Sequence, residues 1–103
     1  MDTHELAYAR ASFYGDPTTM KDVRVYSTRV CPYCDRAKLL LKERGVPFRE
    51  IDVTSDPDTR AWLVETTKRR TVPQIFIGDE PIGGFDDLRA LDQAGELERK
   101  LAD

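Results

Sequence analysis

Two cysteines, Cys31 and Cys34, bracket a Pro-Tyr pair between a strand-like stretch and a helix-like one. That junction constrains the chain more than any other feature. Val23-Arg24-Val25-Tyr26 alternates as a half-buried strand does. Pro32 suits the first helical turn, where a missing N–H costs nothing. From Tyr33 to Arg44 the pattern is helical, with Ala37, Leu40 and Leu41 on one side and Lys38, Lys42 and Glu43 on the other; Gly45 reads as the cap. These are the chain's only two cysteines. Bridging them closes a very small loop, the kind of cross-link that stabilises least. The pair is a poor staple and a good redox couple. At a helix start, unpaired N–H groups and the positive dipole end favour the Cys31 thiolate. Cys31 is therefore expected to attack a disulfide, and Cys34, deeper in the helix, to resolve it.

The rest of the chain alternates between strand and helix. Pro47 to Val53 reads as a second strand, and Asp56-Pro57 opens a helix carrying Trp62 and Leu63, which Lys68-Arg69-Arg70 ends. Pro73 to Ile77 is a third strand. A Gly78-Asp79-Glu80 turn returns through Pro81-Ile82-Gly83. Asp86-Asp87 opens a helix through Leu88 and Leu91, Gly95 breaks it, and Glu96 to Leu101 is a last short one. The order βαβαββα predicts an α/β domain in which a parallel βαβ half is followed by an antiparallel hairpin. One domain is expected over residues 21–103, after an extension over 1–20. The extension reads as a tail, or as a translation start placed upstream of Met20; a short helix from His4 to Tyr14 is the alternative. Trp62 reads as packing and is assigned no role.

Acids and bases nearly balance, giving a net charge of −3, and no polybasic run is present. Neither a nucleic-acid partner nor a membrane surface is expected. The acidic start, Met1-Asp2-Thr3-His4-Glu5, argues against a secretory signal, so a cytoplasmic protein is expected. Zinc usually needs four ligands, and two cysteines with a distant His4 do not supply them, so no metal is expected. Thr71-Val72-Pro73 is a candidate cis-proline turn. It would expose the Val72 backbone beside Cys31, where an extended peptide could pair.

Three segments together resemble the dithiol glutaredoxins: Cys31-Pro32-Tyr33-Cys34, then Thr71-Val72-Pro73-Gln74-Ile75-Phe76-Ile77, then Gly83-Gly84-Phe85-Asp86-Asp87-Leu88. The resemblance covers residues 21–101. It implies a thioredoxin fold, a four-stranded mixed sheet flanked by helices, and glutathione as reducing co-substrate. It implies a groove across Cys31, the Thr71-Val72-Pro73 turn and the helix start at Gly84. Val72 would pair by backbone with the cysteinyl unit. Phe85 and Asp86 would hold the γ-glutamyl end, Tyr33 would flank the groove, and Arg69 would meet the glycyl carboxylate. Family members often carry a basic residue three positions before the nucleophile. Here Thr28 stands there and Arg29 follows it, so Arg29 is the candidate for the basic residue that would reach the glycyl carboxylate or the Cys31 sulfur. Phe85 stands where some members have a further cysteine.

The activity expected from this resemblance is reduction of protein disulfides and glutathione mixed disulfides by a monomer. Two other readings compete. A redoxin of the same fold coupled to thioredoxin reductase would not use glutathione, and the Gly83-to-Asp87 segment with Arg69 argues against it. A glutathione-ligated iron–sulfur carrier would use one Cys31 per subunit, and Pro32 and Cys34 argue against that.

Overall fold

The computed structural model describes residues 19–102. Eight elements follow in order: β1 (Val23–Ser27), α1 (Pro32–Glu43), β2 (Arg49–Asp52), α2 (Pro57–Thr67), β3 (Gln74–Ile77), β4 (Glu80–Gly83), α3 (Phe85–Gln93) and α4 (Leu97–Leu101). The strands form one sheet in the order β2-β1-β3-β4. β1 runs parallel to β2 and antiparallel to β3, and β4 is antiparallel to β3. This is the four-stranded mixed sheet of the thioredoxin fold.

The period-two alternation of the strands decides what packs on each face. Val23, Val25, Ile75 and Ile77 join Ala37, Leu41, Val46, Leu88, Leu97 and Leu101 in one buried cluster, which places α1, α3 and α4 together. Tyr26 and Phe76 join Val53 and Leu63 in a second cluster under α2. Trp62 extends that second core from half-exposed ground. It stacks on Phe76 with ring centroids 5.6 Å apart and leans on Tyr26 at 5.7 Å.

The strands expected from Pro47 and Pro73 start later, at Arg49 and Gln74, because neither proline can donate to a ladder. The helix ends follow the residues expected to make them. Asp56 caps α2 by accepting from Thr59 N at 3.1 Å, with Pro57 behind it. Lys68 ends α2 in the left-handed conformation, φ 62°. Gly45 follows the Arg44 cap of α1 at φ 70°. The readings made for residues 1–18 lie outside the described residues. Met20 is described: it bridges to Ala102 and packs against the larger core.

One polar tie crosses the layers on the α1 side. The buried Ser27 hydroxyl donates to Glu50 Oε2 at 2.7 Å, and Lys38 Nζ reaches the same oxygen at 2.8 Å. This joins β1, β2 and α1. Lys38 is thus only partly exposed, although its spacing put it on the outer face of α1. Lys38 holds the Glu50 carboxyl below its ordinary range.

Candidate active site

β1 delivers the chain to a short loop, and Cys31 is the N-cap of α1 with extended backbone, φ −151° and ψ 97°. Its sulfur takes the role a serine or aspartate usually plays there, accepting from Cys34 N at 3.1 Å. Pro32 follows in the first turn, and Asp35 N bonds the Cys31 carbonyl at 3.1 Å. The two sulfurs are paired as a disulfide, with Cα atoms 5.2 Å apart. Cys31 keeps 8 % of its surface exposed and Cys34 only 1 %, so an incoming group meets Cys31 first. This contact belongs to the disulfide state; a donor kept at that sulfur after reduction would act on the Cys31 thiolate. A donor there favours the thiolate, as does the helix end.

The second wall comes from the loop before β3. The Val72–Pro73 bond is cis, as anticipated from Thr71-Val72-Pro73. The Val72 carbonyl oxygen lies 3.7 Å from Cys31 Sγ. Gln74 secures this loop from inside. It is buried, and its Nε2 donates to the Thr71 carbonyl at 2.9 Å.

The third wall is the start of α3. Gly84 is its N-cap, and Gly84 N donates to Asp87 Oδ2 at 2.9 Å, the back-bond of a capping box. The same oxygen accepts from Arg69 Nη1 at 2.7 Å, which ties the end of α2 to the start of α3. The Arg69 guanidinium holds the Asp87 carboxyl below its ordinary range, and the Gly84 N–H adds to this. Gly83 precedes this corner at φ 116°, and a Cβ there would collide with the Asp87 carboxylate.

Tyr33, Arg69, Thr71, Val72, Pro73, Gly84, Phe85 and Asp86 line one cleft of about 180 Å³ beside Cys31, together with Asp87. Tyr33 is half exposed and faces Phe85 with ring centroids 6.3 Å apart. Asp86 is exposed. Arg29 stands apart from this cleft: its backbone N–H bonds Thr54 Oγ1 at 2.9 Å, and its charge acts on Asp52.

Two residues of the site were not singled out from the sequence. Asp87 was legible as the acid three residues past an N-cap glycine, a position that reaches back to the cap. Gln74 was not: nothing in a strand pattern says that its amide reaches back to Thr71. Among the described residues no group of three or more histidine, cysteine or acidic side chains could hold a metal. No helix among them is long and apolar enough to cross a membrane.

A paired Cys-Pro-Tyr-Cys at a helix start, opposite a cis-proline loop, is an arrangement that comparison with known proteins can place. Residues 23–82 match the glutaredoxin family model. The chain belongs to the glutaredoxin family. It is 48% identical over 83 residues to a glutaredoxin of Pseudomonas aeruginosa, covering 81% of this chain and 99% of that one. The solution structure of glutaredoxin from Brucella melitensis is similar at a TM-score of 0.74 and 48% identity, covering 82% of this chain and 91% of that one. The crystal structure of a buckwheat glutaredoxin–glutathione complex is similar at a TM-score of 0.73 and 30% identity, covering 95% and 89%. Membership of the glutaredoxin family carries thiol–disulfide oxidoreductase activity, and Cys31 with Cys34 is this chain's redox pair.

Proposed function

We propose that this chain reduces glutathione mixed disulfides and protein disulfides with glutathione as its reductant, Cys31 acting as nucleophile and Cys34 as resolving thiol. The observation that carries this is the setting of Cys31. Cys31 is the more exposed of the pair, its sulfur receives the Cys34 N–H at 3.1 Å, and it lies 3.7 Å from the Val72 carbonyl, which lines a cleft shared with Arg69 and the start of α3. The similar buckwheat structure is a glutathione complex, which adds weight.

The Cys31 thiolate attacks the glutathione sulfur of a mixed disulfide, and the client leaves as a thiolate that takes up a proton. Glutathionylated Cys31 then meets a second glutathione thiolate. That attack forms glutathione disulfide and returns Cys31 as the thiolate. For a protein disulfide, the mixed disulfide on Cys31 is resolved by Cys34, and two glutathiones later reduce the pair. The Val72 backbone would pair with the cysteinyl unit of glutathione, and the N–H groups at Phe85 and Asp86 would meet the γ-glutamyl carboxylate. The Asp86 carboxylate would meet the γ-glutamyl ammonium. The Arg69 guanidinium is already held by Asp87, so it would meet the glycyl carboxylate with its remaining donors. Arg29 is left to a secondary part. Residues 21–103 would be the catalytic domain, working as a cytoplasmic monomer.

The test is a coupled assay of a small glutathione mixed disulfide with glutathione, glutathione reductase and NADPH. Wild type is expected to turn over and Cys31→Ser to lose all activity. Wild-type inactivity, with reduction instead by thioredoxin reductase and NADPH, would overturn the proposal.

A further inference from the structure

A second cleft, of about 330 Å³, lies on the other side of Phe85, between α1 and α3. The two helices run side by side in the same direction. Tyr33 at the start of α1 faces Phe85 at the start of α3, and Arg44 at the end of α1 bonds Asp92 near the end of α3 through two contacts of 2.8 and 2.9 Å. Both N-termini, with their positive dipole ends, therefore lie at the end nearest Cys31. The cleft floor is apolar: Phe85, Leu40 and Leu39, the last 56 % exposed. Its charges are unequally spread. Arg36, one turn into α1, covers the Tyr33 ring at 5.1 Å; it and Arg89, one turn into α3, carry no salt bridge among the described residues. Glu43 and the Arg44–Asp92 pair stand at the far end, where the arginine is already neutralised. Asp35 is exposed nearby but shares Lys38, and Asp86 and Asp87 line the other cleft. The proximal half is thus an apolar floor between two available guanidinium groups, in a protein that is acidic overall.

We propose that the α1–α3 cleft seats the client protein, and that the client it fits carries an acidic side chain and an apolar one close to its reactive cysteine. The inference rests on the function proposed above. When Cys31 attacks a mixed disulfide, the incoming, central and leaving sulfurs lie in line. Glutathione in the Thr71–Asp87 cleft then leaves the client to depart on another side. Tyr33 and Phe85 form the divide, and Phe85 lines both clefts. From Cys31 to Leu39 is eight helical residues, roughly 12 Å. An extended client segment covers that in about four residues at roughly 3.3 Å each. The acidic side chain would sit nearer the cysteine, between Arg36 and Arg89, and the apolar one would lie over Leu39.

Three substrates and one binding measurement test this. The substrates are a small glutathione mixed disulfide and two glutathionylated peptides. One peptide carries Glu two residues from its cysteine and Leu at the fourth; the other carries Lys in place of Glu. The expected result is a kcat/KM for the Glu peptide roughly three- to tenfold above the Lys peptide, the size two exposed charge contacts give. The preference should shrink with added salt. Arg89→Glu should abolish or reverse it while leaving turnover of the small disulfide unchanged. Equal turnover of both peptides by wild type, or a preference that Arg89→Glu does not alter, overturns the proposal. A cysteine-free Glu peptide, followed by NMR, should shift the amide signals of Leu39 and Arg89, and the Lys peptide should not. The binding arm decides the cleft even if the small disulfide is not turned over, an outcome that would count against the glutathione reading instead.

Discussion

At the scale of single residues, position makes Cys31 and Cys34 differ more than chemistry does. Both are thiols in the reduced protein, but one caps a helix and keeps a little exposure, and the other is fully buried a turn inside it. The one-cysteine route uses only the first. Cys34→Ser is therefore expected to keep reducing glutathione mixed disulfides and to lose activity on protein disulfides. Complete loss on mixed disulfides would contradict the assignment. Asp87 shows a second positional effect. Arg69 and the Gly84 N–H hold its carboxyl below the ordinary range in the folded protein, and unfolding removes both. Its stabilising share is full above the unfolded pKa, about 3.9, and is lost as pH falls through the lower folded value. Asp87→Asn keeps an oxygen that can accept from the Gly84 N–H but loses the charge, so it should cost up to about 1 kcal/mol near neutral pH, the size of a half-exposed ion pair. The gap in thermal midpoint between wild type and variant should close as pH is lowered below about 4. A gap constant with pH would rule out the charged contact. The sequence displayed the cysteines and the helix-start glycines plainly, because each depends on its neighbours in the chain. The Arg69–Asp87 tie spans eighteen positions and two elements, and no local pattern announces it.

At the scale of elements, helix starts and strand ends do the positioning. α1 offers Cys31, α3 offers the Gly84 corner, and the cis-proline loop before β3 closes between them. Their limits were largely legible: Pro32, Asp56-Pro57, Gly45 and Gly95 are local signals for starting or stopping a helix. β2 and β3 start past Pro47 and Pro73, which have no N–H to give, whereas β1 and β4 each run one residue longer than expected, and Pro81 sits within β4 opposite Phe76. Gly83 is the most exacting joint, at φ 116° with the Asp87 carboxylate directly in the way of any side chain. Gly83→Ala should destabilise by about 1–3 kcal/mol and distort the start of α3. Chemical denaturation and the Gly84 amide signal would report this, and an unchanged midpoint would show that the corner is not strained by a Cβ.

At the scale of the whole molecule, one sheet separates two cores, and the redox pair sits at the start of α1. Leu41 is buried on the α1 side and Phe76 on the α2 side. Leu41→Ala should cost about 2–5 kcal/mol and Phe76→Ala about 3–5. Both should shift a single cooperative transition, because a domain this small unfolds as one unit. Two separate transitions in either variant would mean that the faces of the sheet fold independently. The central claim is that Cys31 itself carries glutathione during turnover, and it can be tested by trapping. Cys34→Ser leaves Cys31 as the only cysteine. After incubation with glutathione disulfide, mass spectrometry should find one glutathione on Cys31, released by added glutathione. A protein that stays unmodified, while wild type is reduced by thioredoxin reductase and NADPH alone, would contradict the account.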